Sequence, residues 1–269
     1  RVSIVGGSGY GGGEVLRLLL DHPGVTVSQI TSRQQAGNYV YSAHPNLRGR
    51  TTLQFTTPDQ LEPCDVLFLC MPHGEASGQI ERFTSLAHRV IDLSADFRLR
   101  DAAQYQRWYD APHPQPAWLD RFVYGLPELY AESIAKAGLV ANPGCYPTSA
   151  ILALYPALKA GLISAEDLVI DSKSGATGAG RKATVGTLFC EVSDTFRAYN
   201  LTKHRHTPEI EQEVSLAAGR EIRLSFNTHL LPINRGILTT AYAKLMPSAD
   251  ADQIRACYER FYVGKKWVR

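Results

Sequence analysis

The sequence predicts an α/β protein in which a doubly wound parallel sheet is followed by an α+β domain with a mainly antiparallel sheet. Three observations carry this. Short apolar runs alternate with helical patterns through the first half, as parallel βαβ units do. A glycine-rich stretch, Gly6-Gly7-Ser8-Gly9-Tyr10-Gly11-Gly12, separates the first apolar run from the first helix. Past residue 147 the texture changes, and in Ile222-Arg223-Leu224-Ser225-Phe226 the apolar positions recur every second residue, the mark of a sheet with one wet face. The 269 residues, at about 150 per domain, fit two domains, 1–143 and 144–269.

Taken in order, Val2–Val5, residues 25–31, 66–70, 90–93 and Leu139–Ala141 read as strands of the first domain. Residues 14–20 carry Val15, Leu16, Leu18, Leu19 and Leu20, a helix with a wide buried stripe that stops at Asp21-His22-Pro23-Gly24. The second domain begins with an apolar helix over residues 148–158, then a strand over 168–172 and a Gly-rich loop at 175–180. Asn234-Arg235-Gly236 then turns the chain into a strand over 237–245.

Composition narrows the function. Apolar residues make up 44% and charged residues 20%, the ordinary globular mix, which sets aside disordered and fibrous classes. Lys plus Arg (28) nearly balances Asp plus Glu (26), so no strong field points to nucleic acid or an anionic membrane, and a small-molecule partner is expected. Five widely spaced cysteines with no CxxC pair offer no metal site and fit a reducing cytoplasm. No apolar run approaches the roughly 18 to 20 residues of a membrane span, and no leader is recognisable. Because Arg1 stands directly before a strand, residues are expected to precede it.

Gly6, Gly9 and Gly12 fall at GxxGxxG spacing after a strand and before a helix. That context is what a dinucleotide pyrophosphate needs: a tight turn, close backbone approach and the positive end of a helix. At the end of the second strand an NAD enzyme usually places an acid for the ribose hydroxyls. Here Ser32 and Arg33 stand there instead, a hydroxyl and a forked cation suited to a 2′-phosphate, so NADP is favoured over NAD.

Asn142-Pro143-Gly144-Cys145-Tyr146-Pro147-Thr148 is the densest chemical signal. Pro147 suits the first position of the following helix, which puts Cys145 at or just before its N-terminus, where unpaired N–H groups favour a thiolate. The other four cysteines read as small core residues. Lys203-His204-Arg205-His206-Thr207-Pro208 precedes a second helix, with Thr207 as the expected cap and Pro208 at its first position. His206 has the pKa range for moving the proton of a tetrahedral oxygen. Arg98, after the fourth strand, is a candidate anchor for a phosphate or carboxylate. Ser174, Gly175, Gly178 and Gly180 form a second loop whose backbone can approach a ligand.

Together these residues resemble the N-acetyl-gamma-glutamyl-phosphate reductase family of arginine biosynthesis. The matching stretches include Gly6 to Gly12, His44-Pro45-Asn46-Leu47-Arg48-Gly49, Pro72-His73-Gly74, Asp92 to Arg98, Asn142 to Thr148, Ser174 to Arg181 and His204 to Ile210. The resemblance implies a Rossmann-type NADP domain followed by a catalytic and oligomerisation domain, in a homo-oligomer, dimer or tetramer. It makes Cys145 the nucleophile and His206 the acid/base, with Arg98, Asn142, His204 and Arg235 anchoring an acyl-phosphate substrate. Ser8, Tyr10, Pro72, Ser174, Gly175, Gly178 and Gly180 join the cofactor set. The implied reaction is NADPH-dependent reduction to a semialdehyde through a cysteine thioester, with no metal. Family members run on past Trp267-Val268-Arg269, so a chain truncated at its C-terminus is expected. Other readings are a reductase of a carrier-protein-bound aminoadipyl or glutamyl phosphate, an aspartate-semialdehyde dehydrogenase, a thiol acyltransferase or hydrolase, and a non-enzymatic dinucleotide sensor. The Pro-Gly-Cys-Tyr-Pro pattern favours the free acetylated substrate.

Overall fold

A computed structural model describes all 269 residues. The first elements are β1 (Val2–Val5), α1 (Tyr10–Leu20), β2 (Val27–Ile30), α2 (Val40–Ala43), β3 (Cys64–Leu69), α3 (Ile80–Leu86), β4 (Ala87–Asp92), α4 (Ala102–Tyr109), β5 (Val123–Tyr124), α5 (Pro127–Lys136) and β6 (Leu139–Ala141). They are followed by α6 (Cys145–Lys159), β7 (Val169–Ser174), α7 (Phe189–Val192), β8 (Arg197–Tyr199), α8 (Thr207–Ala218), β9 (Ser225–Leu230), β10 (Ile237–Tyr242) and α9 (Ala251–Tyr262). The chain divides into two compact units, Arg1–Ala102 with Pro112–Pro143, and Ala103–Ala111 with Gly144–Arg269.

The first unit is a six-stranded sheet in the order β2-β1-β3-β4-β6-β5, every neighbouring pair parallel. A parallel sheet has both faces covered, and all four residues of β1 are buried accordingly. Successive side chains alternate faces, so Ile4 and Val5 enter separate apolar clusters. Ile4 packs with Leu16, Ile30, Leu47 and Phe55, whereas Val5 packs with Leu67, Leu69, Phe83 and Phe97. Because β1 lies between β2 and β3, the strand order reverses beside it. The loop leaving β1 therefore emerges at the switch point where doubly wound sheets take ligands.

The second unit holds a four-stranded sheet in the order β10-β7-β9-β8. β7 alternates: Ile170, Ser172 and Ser174 are buried, and Val169, Asp171 and Lys173 are half-buried. The buried face joins Phe226 to residues of α6 and α8, including Ala150, Leu154, Ile210 and Val214. On the neighbouring β10, Leu238 and Tyr242 stay 65% and 57% exposed, an apolar pair on the uncovered face.

The second sheet is mainly antiparallel, as expected: β10 with β7 and β8 with β9 pair antiparallel, and the central pair β7 and β9 is parallel. Several other expectations are corrected here. The alternating run at 222–226 lies mostly ahead of its strand, because β9 starts only at Ser225. Asn234-Arg235-Gly236 closes no hairpin, since β10 pairs with β7. On α1, Leu16 is buried and Val15, Leu19 and Leu20 pack half-buried against the same cluster, but Leu18 is 58% exposed. Helix α6 starts at Cys145, three residues before the expected start, with Pro147 at its third position. That costs nothing, because first-turn N–H groups have no intrahelical acceptor. Thr207 is the first residue of α8 and His206 its N-cap, one position before the expected cap. Cys190 is exposed on α7 and no core residue.

Candidate active site

The glycine loop of the first unit is built by steric necessity at some positions and left open at others. Gly6 has φ +77°, and a Cβ there would lie 2.4 Å from the Cys70 carbonyl oxygen at the end of β3. A Cβ on Gly12 would meet the Gly7 Cα at 2.7 Å. The buried His44 ring lies against Gly13, and its Nε2 is 2.8 Å from the Gly7 carbonyl oxygen, bracing the loop from behind. Around Gly9 the protein leaves space, the nearest atom being Gly6 O at 3.6 Å. Gly9 is the N-cap of α1 and brings no side chain over the first-turn N–H groups. This cradle is the shape a pyrophosphate fills.

Around it, the Ser8 and Ser32 hydroxyls lie 2.8 Å apart. Ser32 is buried and its Oγ also accepts the Gln35 N–H. It thus braces the loop against the end of β2. Arg33 is exposed and its Nη1 is 3.2 Å from Glu75 Oε2. Tyr10 is the first residue of α1. Pro72 opens a turn whose carbonyl accepts the Glu75 N–H at 3.3 Å.

That turn is pinned by Asp96, whose buried carboxylate accepts from Gly74 N–H at 2.7 Å and Ser77 N–H at 2.8 Å and meets His73 Nδ1 at 2.7 Å. Burial alone would raise its pKa. The hydrogen bonds from His73, Gly74 and Ser77 outweigh burial and bring it down to about 2. Asp92, at the end of β4, lacks that many partners; burial raises it to about 6, against hydrogen bonds from Ser94. Arg98 is buried and donates Nη2 to the Leu93 carbonyl at 2.7 Å. Asn142 leaves β6 with its N–H on the Asp92 carbonyl.

The second unit gathers Cys145 and both histidines. Cys145 is the exposed first residue of the 15-residue α6, with Gly144 as N-cap. The Gly144 N–H donates to Glu209 Oε1 at 2.8 Å, and Glu209 is itself buried in the first turn of α8. Two helix N-termini are thereby joined, one carrying Cys145 and the other His206. Tyr146 lies beneath: its ring meets His204, His206 and Phe226 edge-on at 5.3, 5.9 and 5.5 Å, and its hydroxyl is 2.6 Å from that of Tyr199. Burial raises the Tyr146 phenol, and Tyr199 adds to the rise.

The imidazoles of His204 and His206 are 4.8 Å apart. His204 Nδ1 accepts the His206 backbone N–H at 3.1 Å, which places its ring proton on Nε2. Burial, aided by the charge of His206 and opposed by Glu209, lowers His204 to about 3. His204 is a neutral imidazole at physiological pH.

The Gly-rich loop after β7 belongs to this second unit. Gly175 N–H donates to the Gly236 carbonyl, and a Cβ on Gly175 would sit 2.7 Å from Arg235 N. Gly178 leaves only 3.2 Å from an added Cβ to Ser174 Oγ, and Gly180, with φ +85°, ends the loop. The loop thereby fixes the backbone of the exposed Arg235. Cys145, His204 and His206 are brought together through Tyr146; Gly6, Ser8, Gly9, Gly12, Ser32 and Arg33 are gathered at the switch point of the first unit. Glu209 and Asp96 had no assigned role from the sequence. The signal for each was an acid inside a quoted motif, two residues before Arg98 in one case and three after His206 in the other.

A glycine cradle in one unit and, in the other, a cysteine at a helix N-terminus followed by Tyr146, on whose ring both histidines pack, are the parts of a semialdehyde dehydrogenase-type oxidoreductase. The family models agree. Residues 1–137 match the semialdehyde dehydrogenase NAD binding domain, and residues 145–269 match the semialdehyde dehydrogenase dimerisation domain. The chain is 50% identical over 273 residues to an N-acetyl-gamma-glutamyl-phosphate reductase of Desulfotalea psychrophila, covering 100% of this chain and 79% of that protein. It is 46% identical over 271 residues to the enzyme of that name from Moorella thermoacetica, covering 100% and 78%. The chain belongs to the N-acetyl-gamma-glutamyl-phosphate reductase family. Among solved structures, aspartate semialdehyde dehydrogenase II of Vibrio cholerae shares the fold at TM-score 0.70 and 16% identity, over 97% of this chain and 78% of that one. The Candida albicans aspartate semialdehyde dehydrogenase with NADP aligns at TM-score 0.61 and 15% identity, over 95% and 75%.

Proposed function

We propose that this chain reduces N-acetyl-gamma-glutamyl phosphate to N-acetyl-glutamate semialdehyde and phosphate, with NADPH as reductant. The observation that carries the reading is Cys145, exposed as the first residue of α6 and tied through Gly144 and Glu209 to the helix that His206 caps. The helix N-terminus favours the thiolate, the form that attacks an acyl carbon. Attack expels phosphate and leaves a thioester on Cys145. Gly6, Ser8, Gly9, Tyr10 and Gly12, with Arg33 toward the 2′-phosphate, would hold NADPH, which would supply the hydride for reduction of that thioester. His206 gives a proton to the developing oxygen and takes it back as the carbon–sulfur bond breaks. His204, neutral and fixed by the His206 N–H, donates from Nε2 to substrate. Arg98, Asn142 and Arg235 anchor the substrate's anionic groups, and Pro72, Ser174, Gly175, Gly178 and Gly180 border the nicotinamide end.

In this reading the protein works in the cytoplasm, and no helix of the chain is long and apolar enough to cross a membrane. The dimerisation-domain match and the exposed Leu238 and Tyr242 support a homo-oligomer, dimer or tetramer, built on the open face of the second sheet. The two domains are read as 1–143 and 144–269. The test is the reverse assay: semialdehyde, phosphate and NADP⁺ should yield NADPH, and Cys145→Ser should abolish this while leaving NADPH binding intact. Dinucleotide binding with no turnover would favour the sensor reading. Turnover of only a carrier-bound substrate would favour the reductase of a carrier-protein-bound aminoadipyl or glutamyl phosphate.

A further inference from the structure

We propose that Glu75 sets how tightly the protein discriminates the 2′-phosphate, by competing with it for Arg33. This rests on the NADP reading above. Arg33 follows β2 and Glu75 follows β3, the two strands on either side of β1. Their ion pair, Nη1 to Oε2 at 3.2 Å, therefore spans the end of β1, where the glycine cradle begins. The acid does not reach Arg33 by chance of a mobile side chain. Its backbone is held on both sides by the buried Asp96, through Gly74 N–H at 2.7 Å and Ser77 N–H at 2.8 Å, and its own N–H donates to the Pro72 carbonyl.

Arg33 is 64% and Glu75 38% exposed at the side chain. An exposed pair of that kind is weak and exchangeable. A phosphate dianion outbids one carboxylate for a guanidinium, because it offers more charge and a bidentate edge. NADPH thus takes Arg33 from Glu75 on binding, and NADH, with free ribose hydroxyls, leaves the pair closed. The acid lowers affinity for the phosphorylated cofactor without abolishing it, a brake on retention of the spent cofactor.

The experiment is a fluorescence titration of NADPH and of NADH against wild type, Glu75→Gln, Arg33→Ala and the double variant, with thermal unfolding to verify folding. Glu75→Gln should lower the Kd for NADPH about two- to fivefold, the range of an exposed ion pair, leave NADH unchanged, and have no effect once Arg33 is Ala. An unchanged or raised Kd for NADPH in Glu75→Gln, or the same gain in the Arg33→Ala background, would overturn the proposal. If Arg33→Ala weakens both cofactors equally, Arg33 positions the loop and does not read the phosphate, which overturns the proposal with it; a wild type that binds NADH as tightly as NADPH would instead count against the NADP reading; if Arg33→Ala weakens NADPH alone while Glu75→Gln is silent, only the role of Glu75 fails.

Discussion

Replacing His204 by Gln separates the two histidines on stability and on rate. With its pKa lowered to about 3, chiefly by burial, His204 is protonated in about one molecule in 10⁴ at pH 7, which corresponds to roughly 5.5 kcal/mol to charge it. In the proposed reaction His204 therefore meets substrate as a neutral imidazole, and the acid/base role is assigned to His206. The sign of the linked stability follows. A histidine whose folded pKa lies below its unfolded value near 6.5 stabilises the fold fully above that value, and the stabilisation is lost as pH falls toward the folded pKa. Between pH 6 and pH 4.5 the loss amounts to about 2 kcal/mol. Urea unfolding of wild type and His204→Gln should therefore give a difference in unfolding free energy that shrinks by that amount over this window. In parallel, His204→Gln should mainly raise KM, whereas His206→Asn should lower kcat by about a hundredfold. A stability difference that stays flat from pH 6 to 4.5, or a collapse of kcat in His204→Gln, would refute the assignment.

Brief iodoacetamide treatment near neutral pH with peptide mapping should label Cys145 first. Cys190 is also exposed but sits on a four-residue helix, Cys64 and Cys257 are buried, and burial raises the Cys70 thiol to about 12; labelling of Cys190 as fast as Cys145 would remove the helix N-terminus as the activating cause. Asp96→Asn should cost about 1.5 to 3 kcal/mol of stability, because a buried carboxylate with three partners becomes an amide facing two N–H groups. Since the Asp96 pKa is depressed, its contribution is present above about pH 4 and lost toward pH 2, and acid titration of both forms should converge there.

Much of the first unit was legible because parallel strands carry nearly continuous apolar runs. β1 and β6 fall at the expected residues, and Cys145 lies at a helix start as Pro147 suggested. The two-residue β5 was missed, since Val123-Tyr124 is too short to show a period. The parallel pairing of β7 with β9 was also missed: alternation reports which face is wet, and not the direction of the neighbour. The site was legible as residue types and not as couplings. Nothing in the spacing of Gly144 and Glu209, 65 residues apart, announces the hydrogen bond between them, and Asp96 is separated from Gly74 by helix α3 and strand β4.

The glycine loop sharpens that difference between a pattern and a cause. Read as spacing, Gly6, Gly9 and Gly12 are equivalent, yet the molecule needs them for separate reasons. Gly6 and Gly12 are demanded by the fold itself, because a Cβ would come within 2.4 Å of Cys70 O in one case and 2.7 Å of Gly7 Cα in the other. Gly9 meets nothing nearer than 3.6 Å, so no neighbour in the protein forbids a side chain there, and its extended backbone suits any residue. What a methyl on Gly9 would obstruct is the approach of a pyrophosphate to the first turn of α1. Gly12→Ala should therefore unfold or strongly destabilise the first unit, while Gly9→Ala should keep the wild-type melting temperature within a degree or two and weaken NADPH and NADH alike by about tenfold or more, the loss of roughly one charge-assisted hydrogen bond. Calorimetry beside cofactor titration decides it: a destabilised Gly9→Ala, or one that binds both dinucleotides normally, would mean that the open space over Gly9 is not where the pyrophosphate lies.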